Sequence, residues 1–325
     1  MTACPFQGAA AAPPALSPLQ DPDLRMRPPG EPLPAPLRAH GGALADVFAR
    51  WLRQRDDDAH AAEKCFLTRA LQALSDDDIR SHARRQAAIA WAGDWPHWSW
   101  AVPAATVASL LGLPIDDLAA QQRLHAALRT MAGGLSAAAD GDAVRAAGTA
   151  VEHLLQALDE AERRSPDAPL QWTLLRHAPP ARWSDRATFA ANRLALIWQS
   201  HEAGASLLGH ALLAMKTGGG APTREALWHI ARDGGAVRDT RRFDRREPVG
   251  APVVVPLAGT DHPFGDGAHR CPGQGLTLAT LHAALGWLAQ QPGLRLPDVD
   301  TPLSLPNMDI PRFHPARVID QETQP

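Results

Sequence analysis

The sequence has no tyrosine and only three cysteines, Cys4, Cys65 and Cys271, in 325 residues. So few thiols make a disulfide framework unsupported and fit a reducing, cytoplasmic setting. Charge is nearly balanced, with 32 basic against 35 acidic residues and a net charge of -3, which argues against a nucleic-acid binder or a polybasic membrane-surface protein. An apolar run of roughly 18 residues is missing, as are the basic segment and apolar core of a secretion signal, so neither a membrane span nor export is expected. The 14 histidines show neither His-x-x-Glu-His nor His-Glu-x-x-His spacing, which leaves a zinc hydrolase unsupported. Gly218-Gly219-Gly220 is followed by no Lys-Ser/Thr pair and reads as a hinge, not a phosphate loop. No internal repeat is present. The missing tyrosine, set against ten tryptophans, carries no functional reading beyond codon bias. With 45% hydrophobic residues the chain can bury a large core, as one big domain or two smaller ones.

What is present centres on residues 262–275, HPFGDGAHRCPGQG. Cys271 stands on a glycine-punctuated loop just before an apolar, helix-like run, Leu276 to Leu288. Backbone N–H groups and a helix N-terminus there favour an anion, so the thiol is a candidate thiolate. Small residues let the backbone approach a bulky flat ligand, and a thiolate is a natural axial ligand for haem iron. Taken in order, Phe264-Gly265-x-Gly267-x-His269-x-Cys271-x-Gly273 resembles the haem-binding signature of the cytochrome P450 family.

Other segments carry the same resemblance, over roughly residues 44–319. Asp56-Asp57-Asp58 supplies N-cap candidates for a helix from about Ala59 to Leu74. This helix is similar to the family's acid-His-x-Arg-x-Arg helix, with His60 and Lys64 in the first and last positions and Ala62 replacing the middle arginine. The resemblance implies that His60 and Lys64 hold haem propionates; the alternative is a solvated charged face. A long helix from Ser184-Asp185 to about Met215 resembles the family's central helix over the distal haem face. Its Ala/Gly-Gly-x-Asp/Glu-Thr core matches Gln199, Ser200, His201, Glu202 and Ala203. The acid is kept as Glu202, the threonine that helps deliver protons is replaced by Ala203, and the glycine that makes room for oxygen by Ser200. Glu202, Ser200, a water or a substrate hydroxyl is then left to manage protons; Glu202 could equally be a structural carboxylate. In the strand 237–243 Arg242, with Arg241 as the alternative, occupies the position of a propionate-binding arginine.

Departures are equally clear. The family's Glu-x-x-Arg pair is read here as His229 and Arg232, with Glu225, two turns before Arg232 on the same helical face, as an alternative acid, and the meander that the pair clamps is missing. The expected architecture is mainly α with small β elements, a shortened P450-like fold with reduced N-terminal sheet and meander. It comprises a Pro/Ala-rich, extended or mobile arm over residues 1–42 and a single haem-binding catalytic domain over 43–325. Two helices over residues 116–164, broken at Gly133-Gly134 and Gly141, would roof the pocket, with Leu124, Leu128 and Met131 as substrate contacts. Trp95, Trp98 and Trp100 would be core or channel wall.

The resemblance implies haem b with Cys271 as the iron ligand, and His60, Lys64, Arg242, Phe264, His269 and Gly273 around the cofactor. The activity implied is oxidation of a small organic molecule, in bacterial secondary metabolism, by a monooxygenase using dioxygen. Electrons would come from a ferredoxin or flavodoxin with its reductase. Two alternatives stand beside it: a peroxide-dependent or non-monooxygenase haem-thiolate enzyme (N-oxidation, coupling, dehydration), and a non-catalytic relative that binds haem or a partner protein. Loss of peripheral elements makes a homodimer an expectation as well.

Overall fold

Short polar side chains set most of the helix starts. The computed structural model describes residues 17–247 and 249–315. In it Ser75, Asp94, Asp117, Asp140, Asp185 and Thr223 each accept a hydrogen bond from the main-chain N–H three residues on. Each bond satisfies a donor that the helix itself leaves orphaned.

The first half of the chain runs β1 (Leu24–Arg25), α1 (Ala35–His40), α2 (Ala43–Arg50), α3 (His60–Gln72), α4 (Asp76–Ala90), α5 (Trp95–Leu110), α6 (Leu118–Leu135) and α7 (Gly141–Arg164). Then come α8 (Pro169–His177), α9 (Arg186–Gly218), α10 (Arg224–Asp233), β2 (Asp239–Asp244), β3 (Val253–Pro256), α11 (Gln274–Leu288), β4 (Val299–Leu305) and β5 (Met308–Phe313). A single 3-10 turn, Leu52–Gln54, joins α2 towards α3.

The 33-residue α9 passes through the middle of the molecule and is buried on nearly every side. One apolar cluster packs α2, α5, α6, α7 and α8 against its first half. A second packs α4, α5, α10 and α11 against its second half. Gly204 is what lets α9 approach α5: a Cβ there would sit 2.6 Å from the Cβ of Pro103. Two small antiparallel sheets complete the fold. β1, β2 and β3 pair in that order, with Leu24 opposite Asp244 and Asp239 opposite Pro256. β4 and β5 form the C-terminal hairpin.

The mainly α architecture with small β elements is the one the sequence leads one to expect. Three details differ. Residues 17–42 are not an extended arm: β1 pairs with β2, and Leu19 and Leu37 are buried. Positions 1–16, with Cys4, lie outside the described residues. The α6–α7 break falls at residues 136–140, because Gly134 is a helical position packed against Ala147 and Leu44. Leu124, Leu128 and Met131 point into the apolar cluster beside α7 and do not line the central cavity. Trp95 and Trp98 are core, whereas Trp100 stacks near the histidines of α6 and α9.

Candidate active site

The loop that precedes α11 is held in shape by its own backbone. Cys271 N–H donates to the carbonyl of Phe264 at 2.8 Å, and Gly265 N–H to that of His262 at 2.8 Å. Gly267 has a φ of 61°, and a Cβ there would fall 2.5 Å from the carbonyl oxygen of Leu19. Only glycine meets both demands. Gln20 clasps the same loop by donating to Asp266 at 2.8 Å.

Behind this loop lies a largely apolar cavity. The loop and the start of α11 form one wall, with Phe264, Gly265, Cys271, Gly273, Leu276 and Thr280. The opposite wall is α9, through Ala195, Gln199, Ser200, Ala203, Gly204 and Leu207. Arg53, Lys64 and Arg242 reach in from the rim. Burial pushes the Cys271 thiol up from its ordinary value, opposed by the Gly273 N–H and by the charges of Lys64, Arg53 and Arg270.

The rim is rich in donors and poor in acceptors. Arg242 is buried and donates only to Thr240 Oγ1 at 2.7 Å and the Arg241 carbonyl at 3.1 Å. Burial lowers its pKa, with Asp56 opposing and Arg53 adding to the effect. Lys64 donates to the carbonyl of Ala268 at 2.6 Å, and burial pulls it down to about 8. His60 and His269 stack with ring centroids 4.6 Å apart. His269 Nε2 meets Asp56 Oδ1 at 2.7 Å, while its Nδ1 and the Nε2 of His60 are buried without a partner. Burial, then the charges of His269 and Lys64, lowers His60 to about 4. Below this pair the carboxylate of Glu63, 1% exposed, accepts from Ser184 N–H and Oγ at 2.6 Å each and from Arg55 at 2.8 Å.

The structure thus brings together Cys271, Phe264, Gly273, His269, Lys64, Arg242, Ser200 and Ala203 at one cavity. His60 joins through its contact with His269. Arg242 is the buried member of its pair and Arg241 the exposed one. Glu202 is half-buried but outside the cavity wall; burial raises its carboxyl and Arg53 opposes the rise. His201 turns away, towards α5 and α6, with Nε2 3.0 Å from His125 Nδ1. Arg232 is paired with its neighbour Asp233 at 2.6 Å and not with Glu225, so no substitute for the Glu-x-x-Arg clamp forms there. Arg53 and the α9 residue Asn192, which fixes its turn, are the members that sequence reasoning missed.

No protein-family model matches the sequence, and no curated protein sequence is similar to it. Solved structures are similar in three dimensions. CalO2 matches with a TM-score of 0.66 at 20% identity, over 92% of this chain and 86% of that one. P450BioI, solved with an acyl carrier protein ligated to hexadec-9Z-enoic acid, matches with a TM-score of 0.64 at 14% identity, over 91% and 87%. CxnD, a cytochrome P450 for C–S bond formation in chuangxinmycin biosynthesis, matches with a TM-score of 0.64 at 18% identity, over 92% and 85%. The chain has the cytochrome P450 fold.

The site residues fit the haem that such a fold implies. The thiol opens into a cavity with apolar walls, and beside it stand Lys64 and Arg242, which lack an anion, and two ring nitrogens without partners. A flat apolar ring carrying two carboxylates answers each of these features. Among the described residues no cluster of three or more His, Cys, Asp or Glu could hold a bare metal ion, and no helix is long and apolar enough to cross a membrane.

Proposed function

We propose that this chain is a haem-thiolate oxidoreductase that oxidises a small organic molecule in bacterial secondary metabolism. The observation that carries the reading is the Cys271 sulfur opening, from a loop of fixed shape, into an apolar cavity facing α9. Haem b would supply the electron-transfer and oxygen chemistry once bound. Cys271 would ligate the iron, with the Gly273 N–H and nearby cations steadying the thiolate. Lys64, Arg242, His60 and His269 would hold the propionates, and Asp56 fixes the His269 ring. Phe264, Leu276 and Leu207 line the cavity and would keep water from a bound cofactor.

Ser200 Oγ donates to the Ile197 carbonyl at 2.8 Å and lines the cavity, so it would serve there as a hydrogen-bond acceptor. Glu202, whose carboxyl burial raises, would pass protons to the cavity through water. Electrons would come from a ferredoxin or flavodoxin with its reductase, docking on the loop side where Lys64, Arg69 and Arg270 gather.

A second reading rests on a specific gap. Ala203 and Gly204 leave the cavity wall without a hydroxyl one turn beyond Ser200, which favours a peroxide-driven enzyme, or N-oxidation, coupling or dehydration. The third reading, a haem- or partner-binding relative without turnover, rests on the missing Arg232 clamp.

Haem content and oxidant requirement separate the three. Stoichiometric haem with turnover only in the presence of ferredoxin, its reductase and NADPH supports the first. Turnover with hydrogen peroxide alone supports the second. Haem without turnover under either regime supports the third, and purified protein that takes up no haem contradicts all the enzymatic readings.

A further inference from the structure

Arg53 is a cation that the cofactor does not account for. Its guanidinium makes no hydrogen bond to any described residue and has no acid within the 4.0 Å of an ion pair. The side chain presents open surface, yet burial lowers its pKa, so that surface faces the cavity it lines. Arg53 lines the same cavity as the Cys271 loop and the α9 residues Gln199, Ser200 and Ala203.

This position is built, not incidental. Asn192 of α9 accepts from Leu52 N–H at 2.9 Å and donates to the Arg50 carbonyl at 2.9 Å, gripping the main chain on both sides of Trp51. Trp51 in turn stacks on Trp198 of α9, ring centroids 6.2 Å apart and planes 16° off parallel. The 3-10 turn that carries Arg53 is thereby fastened to the same helix that forms the distal wall. Holding a donor in place before a ligand arrives lowers the entropy cost of binding.

The charges then have to be matched. A haem would bring two carboxylates, and Lys64, Arg242 and the His60–His269 pair are the donors at its rim. Arg53 remains, a guanidinium on the cavity wall with no hydrogen-bond or ion-pair partner among the described residues; a substrate bound there would strip its water, which is costly unless that substrate brings an anion. Glu202 does not fill that role: it lies outside the cavity wall and is not within ion-pair distance of Arg53.

Taking the haem-thiolate reading as given, we infer that the substrate is a small organic carboxylic acid whose carboxylate pairs with Arg53 while its apolar body lies against Val107, Leu196 and Leu207. The guanidinium fork matches a carboxylate bidentately. A single cation neutralises a single negative charge, whereas a phosphate dianion would leave net charge buried.

The test is calorimetric binding of two matched pairs, octanoate with octanamide and 4-phenylbutanoate with 4-phenylbutanamide, to wild type and Arg53→Gln. Haem content is measured on every sample. The inference predicts that wild type binds at least one acid more tightly than its amide. It also predicts that Arg53→Gln weakens that acid by about 10- to 100-fold and leaves the amide within about 3-fold, with haem content unchanged. Arg53→Lys, which keeps the charge but loses the fork, should fall between. Amides binding as well as acids, no acid binding at all, or Arg53→Gln affecting acid and amide alike would overturn it. So would loss of haem from Arg53→Gln with acid binding intact, which would assign the guanidinium to a propionate. Should wild type hold no haem, the haem-thiolate reading fails, while the acid–amide comparison still decides whether Arg53 recognises a carboxylate.

Discussion

The imidazole of His60 stacks on that of His269, 4.6 Å between centroids and 31° between planes, and each ring keeps one buried nitrogen without a partner. Asp56 is bound to the other nitrogen of His269 and, among the described residues, is the one carboxylate hydrogen-bonded to either ring. With Lys64 and Arg242 close enough to influence these rings, the cluster asks for anions.

That demand can be measured as haem retention. A hydrogen bond to a charged group contributes about 1.5–3 kcal/mol, or about 10- to 150-fold. His60→Ala and Arg242→Ala are each expected to speed haem loss to an acceptor protein by at least about 10-fold, while Arg241→Ala, an exposed neighbour, stays near wild type. Equal rates for Arg241→Ala and Arg242→Ala would remove Arg242 from the site.

The second prediction concerns acid stability. His201 is 1% exposed, and burial, then His125 and Arg129, pulls it down to about 3 from 6.5. Between those values the unfolded chain binds the proton that the folded chain refuses, so folding stability rises with pH across that window and falls as acid is added. Thermal midpoints of wild type should therefore drop between pH 7 and pH 4, a drop to which the half-buried His125, held at about 4, adds. His201→Gln should lower the midpoint at pH 7 but flatten its fall with acid. Parallel curves for the two proteins would show that His201 titrates normally.

The third prediction tests the crossing of α9 and α5. Gly204→Ala places a methyl 2.6 Å from the Cβ of Pro103, a rigid ring within α5. Overpacking of this kind costs about 1–3 kcal/mol. Gly218→Ala at the end of α9 meets nothing within 4 Å and serves as the control, neutral or stabilising by up to about 1 kcal/mol. Denaturant unfolding of both variants checks the contrast, and equal stability for the two would refute the close approach.

How legible was all this in the chain? The Cys271 loop was readable because its glycines, His269 and the following apolar run are contiguous, and local backbone bonds such as Cys271 to Phe264 shape it. Helix α9 was readable from its cap at Asp185, and α3 from the acids ahead of it, of which Asp57 accepts from the N–H groups of Ala59 and His60. Arg53 was not. Nothing around it in sequence marks it, and the bond that fixes its turn joins Leu52 to a residue 140 positions away. The Asp56–His269 bond spans 213 positions and was equally invisible. Leu124, Leu128 and Met131 were misread as pocket residues because an apolar helix face looks the same whether it meets a ligand or another helix; here it meets the core beside α7. The family's clamp was correctly read as lost, but Glu225 as its replacement rested on helical spacing alone, and Arg232 instead pairs with Asp233.

Ligation of haem iron by Cys271 is the claim on which the rest depends, and its most direct test is the absorption spectrum of reduced, carbon monoxide-treated protein, wild type beside Cys271→Ser. The proposed function predicts a strongly red-shifted Soret band in wild type that disappears in the variant. A wild-type protein without haem, or a spectrum that Cys271→Ser leaves unchanged, would contradict it and leave only the fold.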